Sequence, residues 1–511
     1  MCQNSTPLVD ALRDVSSNVK APFFVPGHKM GRSAPTRLSE SFGRNMQDIF
    51  RFDLTEIPGL DNLADPEDVI MLSERLAAEA FGAKKTFFLV NGSTSGVQQL
   101  VHGLTYPGNP KIVLPRSVHK SAIHALVVSG AVPLWIWPDY DEEFHIAYPI
   151  TPSTLESAMQ EHQDIAGVII VSPSYIDLVG ISRVCDGLDV PLVVDEAHGA
   201  HLNAFRARTG LQFSSSSSCS CVVQSTHKCL SSLTQSAMLH VPPNSRLDVS
   251  VIQESLPLVQ SSSPNYLLMA SLDAARWQQF RDWRCLVIQG LVMINQVKVL
   301  PSKVNLQAMF VVDVRFALIT GKIIPTINPG NSADPILIDP TRITILTRKL
   351  GISGFEFAQK LEENGGVYCE LASERHVTLA LSLGNNLAHI ETLVKEASSI
   401  AKEARVRANN CDRTTAKDQN RLPEPSKREA ASIPPITPRE AFLMPTETLS
   451  AADAAGQLCA ETICPYPPGI PVIVPGELIT QDTIERLQRL RDKGASIVGA
   501  RDATLQTFQV L

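Results

Sequence analysis

Short apolar runs alternate with amphipathic stretches between residues 69 and 240, and this alternation restricts the fold more than any other feature. Each run is rich in β-branched residues and nearly continuous in apolar side chains, which is typical of strands buried on both faces. A strand, helix, strand repeat implies right-handed crossovers and a mostly parallel sheet, so the sequence predicts an α/β fold. The predicted strands are 86–90, 111–114, 132–136, 167–171, 191–194 and 221–223, and the clearest helices are 69–81 and 96–104.

A chain of 511 residues is too long for one ordinary core, so several domains are expected. Changes in pattern and composition along the chain set the predicted boundaries. These are an N-terminal segment 1–60, a large α/β domain 61–335, a smaller α/β domain 336–405, a charged and proline-containing linker 406–437, and a C-terminal domain 438–511.

Charge and cysteine content exclude several classes of protein. The formal net charge of −7 argues against nucleic acid or an anionic membrane surface as the main partner. The sequence contains no signal-peptide pattern and no apolar stretch of about 18 residues, so a soluble cytoplasmic protein is expected. The ten cysteines include no CxxC pair, and neither a disulfide framework nor a metal site is expected from them.

The run Asn-Gly-Ser-Thr-Ser-Gly at 91–96 follows a predicted strand and precedes a predicted helix. Small residues allow close backbone approach, and a helix N-terminus offers unpaired N–H groups to an anion. Ser93 and Thr94 add hydroxyl donors, so the turn is a candidate phosphate site. Taken alone, the turn is better explained as an ordinary helix cap, because that is the usual role of Gly/Ser turns before helices.

Asp195 ends a predicted strand, in the run Asp-Glu-Ala-His-Gly-Ala-His at 195–201. A carboxylate at the carboxyl end of such a strand points into the crevice where α/β sheets bind ligands. It can pair with a protonated ring nitrogen, or bind a metal with His198 and His201. The metal alternative lacks a third ligand, and a structural cap is the plainest explanation.

Lys228 and His119 each follow a strand within a polar cluster. Lys228 comes after Ser-Thr-His at 225–227, where burial would favour the neutral amine, which is a nucleophile; a surface lysine is the ordinary alternative. His119 lies in the cluster 116–121 and is either a core histidine or a flat partner for an aromatic ring.

The chain order of these features is more specific than any one of them. An anion site, a strand-end aspartate and, about thirty residues later, a strand-end lysine are what pyridoxal 5'-phosphate (PLP) needs in the aspartate-aminotransferase fold (fold type I). The phosphate needs an anchor, the pyridine nitrogen a carboxylate, and the aldehyde an amine. The sequence therefore predicts a PLP-dependent enzyme.

Along most of its length the chain resembles the Orn/Lys/Arg decarboxylases, which are PLP-dependent enzymes with this fold. The matching motifs are dense, and they extend beyond the PLP region toward both ends of the chain. They lie at 24–31, 53–56, 59–61, 91–96, around 119, at 195–201, 225–228, 262–268, 438–442 and 466–477. The segment 277–335 matches poorly.

The resemblance implies roles around the cofactor ring. Lys228 would bind the PLP aldehyde as a Schiff base, Asp195 would pair with the pyridine nitrogen, and His119 would stack on the ring face. Ala197 would pack beneath the ring and His198 would lie near its hydroxyl. Lys228 and His198 are then the expected proton carriers.

The resemblance also implies roles around the phosphate. Ser93 and Thr94, with Ser225 and His227, would bind it. The segment 262–266, which contains Ser263, would reach the phosphate of a neighbouring subunit. A homodimer or higher homo-oligomer with shared active sites is therefore expected.

The implied activity is decarboxylation of a basic amino acid to the corresponding amine, within polyamine biosynthesis. The chain is similar to the short form of the family, without the N-terminal wing domain, which favours arginine or lysine over ornithine as substrate and a dimer over a decamer. Glu477, in the run Pro-Gly-Glu, is a candidate for binding the distal cation of the substrate. A cap of the predicted helix 482–493 explains Glu477 equally well.

Two alternatives remain at this point. An aminotransferase or another PLP-dependent Cα-lyase of the same fold would share Asp195 and Lys228, but would not need the 467–477 motif. A non-catalytic PLP-binding homologue would be free to lose Lys228, Asp195 or His119, all of which are present.

Overall fold

A computed structural model forms two compact units that interleave along the chain. The first comprises residues 1–106, 170–173 and 189–285, and the second 107–169, 174–188 and 286–511. The structure describes residues 2–42, 45–105, 111–141, 146–147, 149–172, 177–203, 219–281, 326–327, 336–337, 339, 341–347, 350–410, 431–467 and 469–511. The predicted domain boundaries stay a prediction.

The first unit contains four neighbouring strands, and the carboxyl ends of three of them carry most of the predicted site. Their order is Lys85–Leu89, Ala237–Val241, Cys221–Gln224 and Leu192–Asp195. The last two are parallel, and the other two pairs are antiparallel. Nearly every residue of these strands is buried, which is why the sequence shows them as unbroken apolar runs. The predicted strand positions in this unit are confirmed to within one residue.

Helices of the first unit surround these strands. Val69–Phe81 is helical as predicted and ends at Gly82, whose φ of 68° suits glycine. The predicted start of the next helix at residue 96 is wrong, because Gly92–Thr105 is helical. Gly92 has a φ of 75°, so the chain turns directly after the strand and Ser93 lies in the first helical turn. The other helices are Pro7–Asn18, Thr36–Phe42, Asn45–Phe52, Thr226–Cys229, Val249–Ser255, the 3-10 helix Leu256–Leu258 and residues 266–281.

A buried chain of hydrogen bonds crosses the four strands. Thr86 Oγ1 lies 2.8 Å from His240 Nδ1, His240 Nε2 lies 3.1 Å from Gln224 Oε1, and Gln224 Nε2 donates to Glu196 Oε2 at 2.6 Å. Because Gln224 Oε1 only accepts, His240 donates from Nε2 and accepts from Thr86 at Nδ1. The chain ends beside Asp195, in the fully buried Glu196.

His240 should make stability fall with acid. Histidine in an unfolded chain titrates near pH 6.5, whereas burial lowers the pKa of His240 to about 3. As the pH falls from about 6.5 toward 3, this histidine gains a proton in the unfolded chain, whereas in the folded chain it stays neutral. The free energy of unfolding should therefore fall by about 1.4 kcal/mol per pH unit in this window. Denaturant titrations of the native chain and of His240→Gln measure the difference in slope, with the exposed His389→Gln as control. A slope unchanged in His240→Gln would contradict the expectation.

The second unit contains a group of parallel strands and, apart from it, a three-stranded antiparallel sheet. Lys111–Pro115 lies between Val132–Ile136 and Ile165–Val171 and is parallel to both. Ala431–Ser432 adds an antiparallel edge to Val132–Ile136. A separate sheet has the order Arg342–Leu346, His376–Ala380 and Leu371–Ala372.

The helices Gly354–Gly365 and Leu387–Asn410 pack on this separate sheet and share its apolar core. The second of them ends at Asn410 and so extends into the predicted linker 406–437. Residues 411–430, within that linker, lie outside the described residues.

The C-terminal region builds its own core from two short strand pairs and the helix Gln481–Asp492, which begins one residue before its predicted start. The pairs are Glu447–Ser450 with Thr507–Val510 and Cys464–Pro465 with Ile497–Val498. The remaining elements of the second unit are the helices Lys120–Ser129, Pro152–Glu161, Leu178–Gly187, Pro438–Leu443 and Ala451–Ala454, and the strands Tyr140–Asp141, Ile146–Ala147, Thr326–Ile327 and Ile336–Leu337. Over the described ranges, no helix is both long and apolar enough to cross a membrane.

Candidate active site

Lys228 lies on the short helix Thr226–Cys229, directly after the strand Cys221–Gln224. Its Nζ is 3.2 Å from His198 Nε2. An ammonium group has only donors, so Nε2 of the imidazole accepts and the two groups can exchange a proton. The expected burial of Lys228 is wrong for the single chain, where the residue is exposed. Thr226 and Cys229 occupy the buried face of the same helix and leave Lys228 on the outer face.

Asp195 is the last residue of its strand and is 6% exposed. Its Oδ1 accepts the backbone N–H of Ala197 at 3.1 Å, and the described residues provide no hydrogen bond to Oδ2. Burial raises the pKa of Asp195, while the Ala197 N–H and the charge of Lys228 act in the opposite direction. A buried carboxylate with an unmatched oxygen suits a positively charged partner, such as a protonated ring nitrogen.

Two of the hydroxyl groups predicted to bind phosphate are 132 residues apart in the sequence but form a hydrogen bond in the structure. Ser225 Oγ donates to Ser93 Oγ at 2.7 Å, at the start of the helix Gly92–Thr105. Thr94 lies in the same first turn and is exposed. Hydroxyl donors and free helical N–H groups therefore converge at one position, which is the chemistry that a phosphate needs.

His227 has a defined tautomer. Its Nδ1 lies 2.8 Å from the carbonyl oxygen of Ser236, and because a carbonyl only accepts, Nδ1 carries a proton. Nε2 can therefore donate to an anion only when the ring is positively charged. A phosphate at Nε2 would favour that protonated form.

We expect Ser225→Ala to weaken PLP binding by roughly 10- to 150-fold, because a hydrogen bond to a charged group is typically worth about 1.5–3 kcal/mol. Titration of the cofactor-free protein with PLP, followed by absorbance, measures the change. Ser220→Ala is the matched control, a buried serine in the same unit that the proposed phosphate site does not use. Equal affinities of the two variants would count against a phosphate at Ser225.

The remaining candidates of the first unit lie at its surface or beside Asp195. Ala197 is half-buried, two residues past Asp195, and Ser263 is exposed. The described residues contain no group of three His, Cys, Asp or Glu side chains arranged to hold a metal. The metal alternative for Asp195, His198 and His201 thus gains no support.

Three features of the first unit therefore fit PLP. It has a hydroxyl-lined helix N-terminus, a buried strand-end carboxylate with an unmatched oxygen, and a lysine amine beside a histidine. Those are the three contacts that the phosphate, the pyridine nitrogen and the aldehyde require.

His119 lies in the second unit and caps the helix Lys120–Ser129. Its Nδ1 accepts the backbone N–H of Ser121 at 3.2 Å and lies 2.9 Å from Ser121 Oγ. The side chain is half-buried, and the helix behind it is fixed by its cap.

Glu477 forms a buried bidentate ion pair that the sequence did not reveal. Arg116 Nε donates to Glu477 Oε1 at 2.7 Å and Nη2 donates to Oε2 at 2.8 Å. Arg116 also donates to the carbonyl oxygens of Pro471 and Val472. Both oxygens of Glu477 are therefore engaged by a cation of the protein, which favours a structural role over binding of a substrate cation.

A sequence model of the Orn/Lys/Arg decarboxylase major domain matches residues 6–389, and a model of the C-terminal domain of the same enzymes matches residues 425–499. The first match alone covers more than half of the chain, and the two together cover both units of the structure.

Individual relatives agree with the two matches. An arginine decarboxylase of Bacillus subtilis is 32% identical over 516 residues, covering 100% of this chain and 99% of the relative. The lysine decarboxylase LdcA of Pseudomonas aeruginosa is 26% identical, over 93% of this chain and 74% of its own. The crystal structure of the Francisella novicida lysine decarboxylase LdcF is similar in fold, with a TM-score of 0.77 and 20% identity over 99% of this chain and 80% of that one.

Proposed function

The chain belongs to the Orn/Lys/Arg decarboxylase family, and from that premise we propose that its substrate is arginine, which it converts to agmatine and CO2. It is a PLP-dependent enzyme that decarboxylates a basic amino acid. Four relatives at 31–32% identity, covering 93–100% of this chain, are arginine decarboxylases, whereas the lysine decarboxylases are 22–26% identical. This difference supports arginine over lysine.

The arrangement of side chains at the carboxyl ends of the strands in the first unit is the structural observation that supports decarboxylation. PLP, when bound, acts as an electron sink for the electron pair left at Cα when the carboxylate departs as CO2. Asp195, which is buried, would pair with the protonated ring nitrogen of PLP and would hold the proton there. Lys228 Nζ and His198 Nε2, 3.2 Å apart, are placed to deliver a proton to Cα.

The other assigned residues would bind and orient the cofactor. Ser93, Thr94, Ser225 and His227 would hold the phosphate, and the hydroxyl contact between Ser93 and Ser225 supports this. His119 would stack on the ring, with Ala197 on its other face.

We also propose a homodimer or higher homo-oligomer in which Ser263 reaches the phosphate of the neighbouring subunit. The exposure of Ser263 in the single chain is consistent with such a contact. The proposed setting is polyamine biosynthesis in the cytoplasm, with the amine as product.

Release of CO2 from arginine, lysine and ornithine, measured side by side on the PLP-loaded protein, tests the proposal. We expect arginine to give the highest kcat/KM. A higher value for lysine or ornithine would move the assignment within the family. Amino transfer to a keto acid without CO2 release would instead favour an aminotransferase, and PLP binding without any turnover would indicate a non-catalytic homologue.

A further inference from the structure

The C-terminal domain, residues 425–499, holds the helix that follows His119 at both ends. At the N-terminus of Lys120–Ser129, the backbone N–H of Lys120 donates to the carbonyl oxygen of Gly469 at 2.9 Å. At the other end, Arg439 Nη1 donates to the carbonyl oxygens of Val127 at 3.2 Å and Val128 at 2.6 Å. Both contacts satisfy backbone groups that a helix leaves unpaired at its termini, so they fix the helix against this domain.

Arg116 fixes the turn that carries His119 in the same way. Besides its ion pair with Glu477, the guanidinium carbon lies 5.6 Å from the ring centroids of both Trp135 and Trp137. Its side chain is 3% exposed, and all three guanidinium nitrogens donate to the C-terminal domain. Arg116 is only three residues from His119, so the C-terminal segment 469–477 has little freedom to move relative to the imidazole.

Gly469 lies directly against the imidazole of His119. A Cβ at this glycine would be 3.1 Å from His119 Nε2 and 3.3 Å from Cδ2. The φ of Gly469 is 84°, which also favours glycine. On its other edge the ring is held by Ser121, through the two contacts of Nδ1. The imidazole is thus confined at both edges, once by its own helix and once by the C-terminal domain.

We infer that the C-terminal domain sets the orientation of His119 through Gly469, and that the Arg116–Glu477 ion pair holds Gly469 in place. Gly469, Arg116 and Glu477 are positioning residues, since their effect reaches the cofactor through His119. The catalytic part of this inference rests on the proposed function, in which His119 faces PLP. The contact itself does not depend on that function.

The contact is tested first in the cofactor-free protein. Its 12 histidines are labelled with ¹³C at Cε1, and the signal of His119 is assigned by its loss in His119→Gln. We expect Gly469→Ala to shift this signal, because the new methyl group would lie 3.1 Å from Nε2 of the ring, closer than ordinary van der Waals contact; Tyr466, whose Cδ2 would lie 3.2 Å from it, is the other side chain under pressure. Gly456→Ala is the matched control, since Gly456 lies in the same domain, has a φ of 92° and has no atom within 4 Å of an added Cβ.

The consequence is tested in the PLP-loaded protein. Misplacement of a group that contacts the reacting part can cost up to about 100-fold in rate, so kcat of Gly469→Ala should fall 10- to 100-fold, with a smaller change in KM. The visible circular dichroism of bound PLP should change as well, because it reports the asymmetry around the ring. Gly456→Ala should match the native protein in all three measurements.

Glu477→Gln provides a second, independent variant if Gly469→Ala does not fold. It keeps the shape of the side chain but removes the charge that faces Arg116, so it should shift the His119 signal and the dichroism in the same sense. Glu485→Gln, an exposed glutamate of the same domain, is its control.

The outcomes separate the two claims. A His119 signal that is the same in Gly469→Ala as in Gly456→Ala, or the same in Glu477→Gln as in Glu485→Gln, overturns the positioning inference. A native protein that neither binds PLP nor releases CO2 overturns the proposed function, while the signal of the cofactor-free protein still decides the positioning.

Discussion

Lys228→Ala should yield a protein without covalently attached PLP and with decarboxylase activity lowered by at least about 10³-fold. Lys228 lies directly after the strand Cys221–Gln224, and its Nζ is 3.2 Å from His198 Nε2. Absorbance at about 420 nm, which is typical of PLP bound to a lysine, should be absent after gel filtration. CO2 release measures the activity.

Two further variants make this expectation specific. Lys228→Arg keeps a positive charge near Asp195 but has no amine that can attack the aldehyde, so it should be as inactive as the alanine variant. Lys395→Ala, on an exposed position of the helix Leu387–Asn410, should behave like the native protein. A Lys228→Ala protein that retains the absorbance band and normal turnover would show that another residue binds the cofactor.

Asp195→Asn should lower kcat by about 10²–10³-fold while PLP stays bound. Asparagine has nearly the same shape, but a neutral amide cannot hold a proton on the ring nitrogen that Asp195 is proposed to face. Because Asp195 is only 6% exposed, little water is available to stabilise a protonated ring nitrogen once the negative charge is removed. The measurements are kcat with saturating substrate and the amount of PLP bound per chain.

The exposed Asp65→Asn removes one negative charge from the same unit and serves as the control for net charge. It should leave kcat unchanged. If Asp195→Asn instead keeps its kcat and loses PLP, the carboxylate acts in binding the cofactor and not in the reaction.

Much of the first unit could be predicted because its signals are local. Continuous apolar runs identify buried strands, and the residues after them, Asp195 and Ser225, lie where parallel strands of an α/β sheet bind ligands. The resemblance to the Orn/Lys/Arg decarboxylases predicts Ser93 and Ser225 at one phosphate, and their hydroxyl groups are 2.7 Å apart. Here the sheet converts two distant sequence positions into neighbours in a predictable way.

Other features could not be read from the sequence, for physical reasons. Arg116 and Glu477 are 361 residues apart, and each has an ordinary alternative as a surface charge or a helix cap. The helix start at Gly92 depends on a single positive φ in a run of small polar residues, which on its own is typical of a loop. The exposure of Lys228 follows from the direction of one short helix, which no periodicity predicts.

The buried chain from Thr86 to Glu196 also bears on how the strands find their partners during folding. Its members come from four neighbouring strands or their ends, and each uses a side chain that points to the same layer. A slip of one residue in any strand would turn that side chain to the opposite face and leave buried polar groups unpaired, at roughly 1–3 kcal/mol for each group. A slip would also destabilise strands that carry only apolar side chains, but the loss of apolar burial alone would not single out one alignment. The hydrogen-bonded side chains therefore favour the alignment in which Asp195 and Ser225 reach the same edge of the sheet, and this preference does not depend on a bound cofactor.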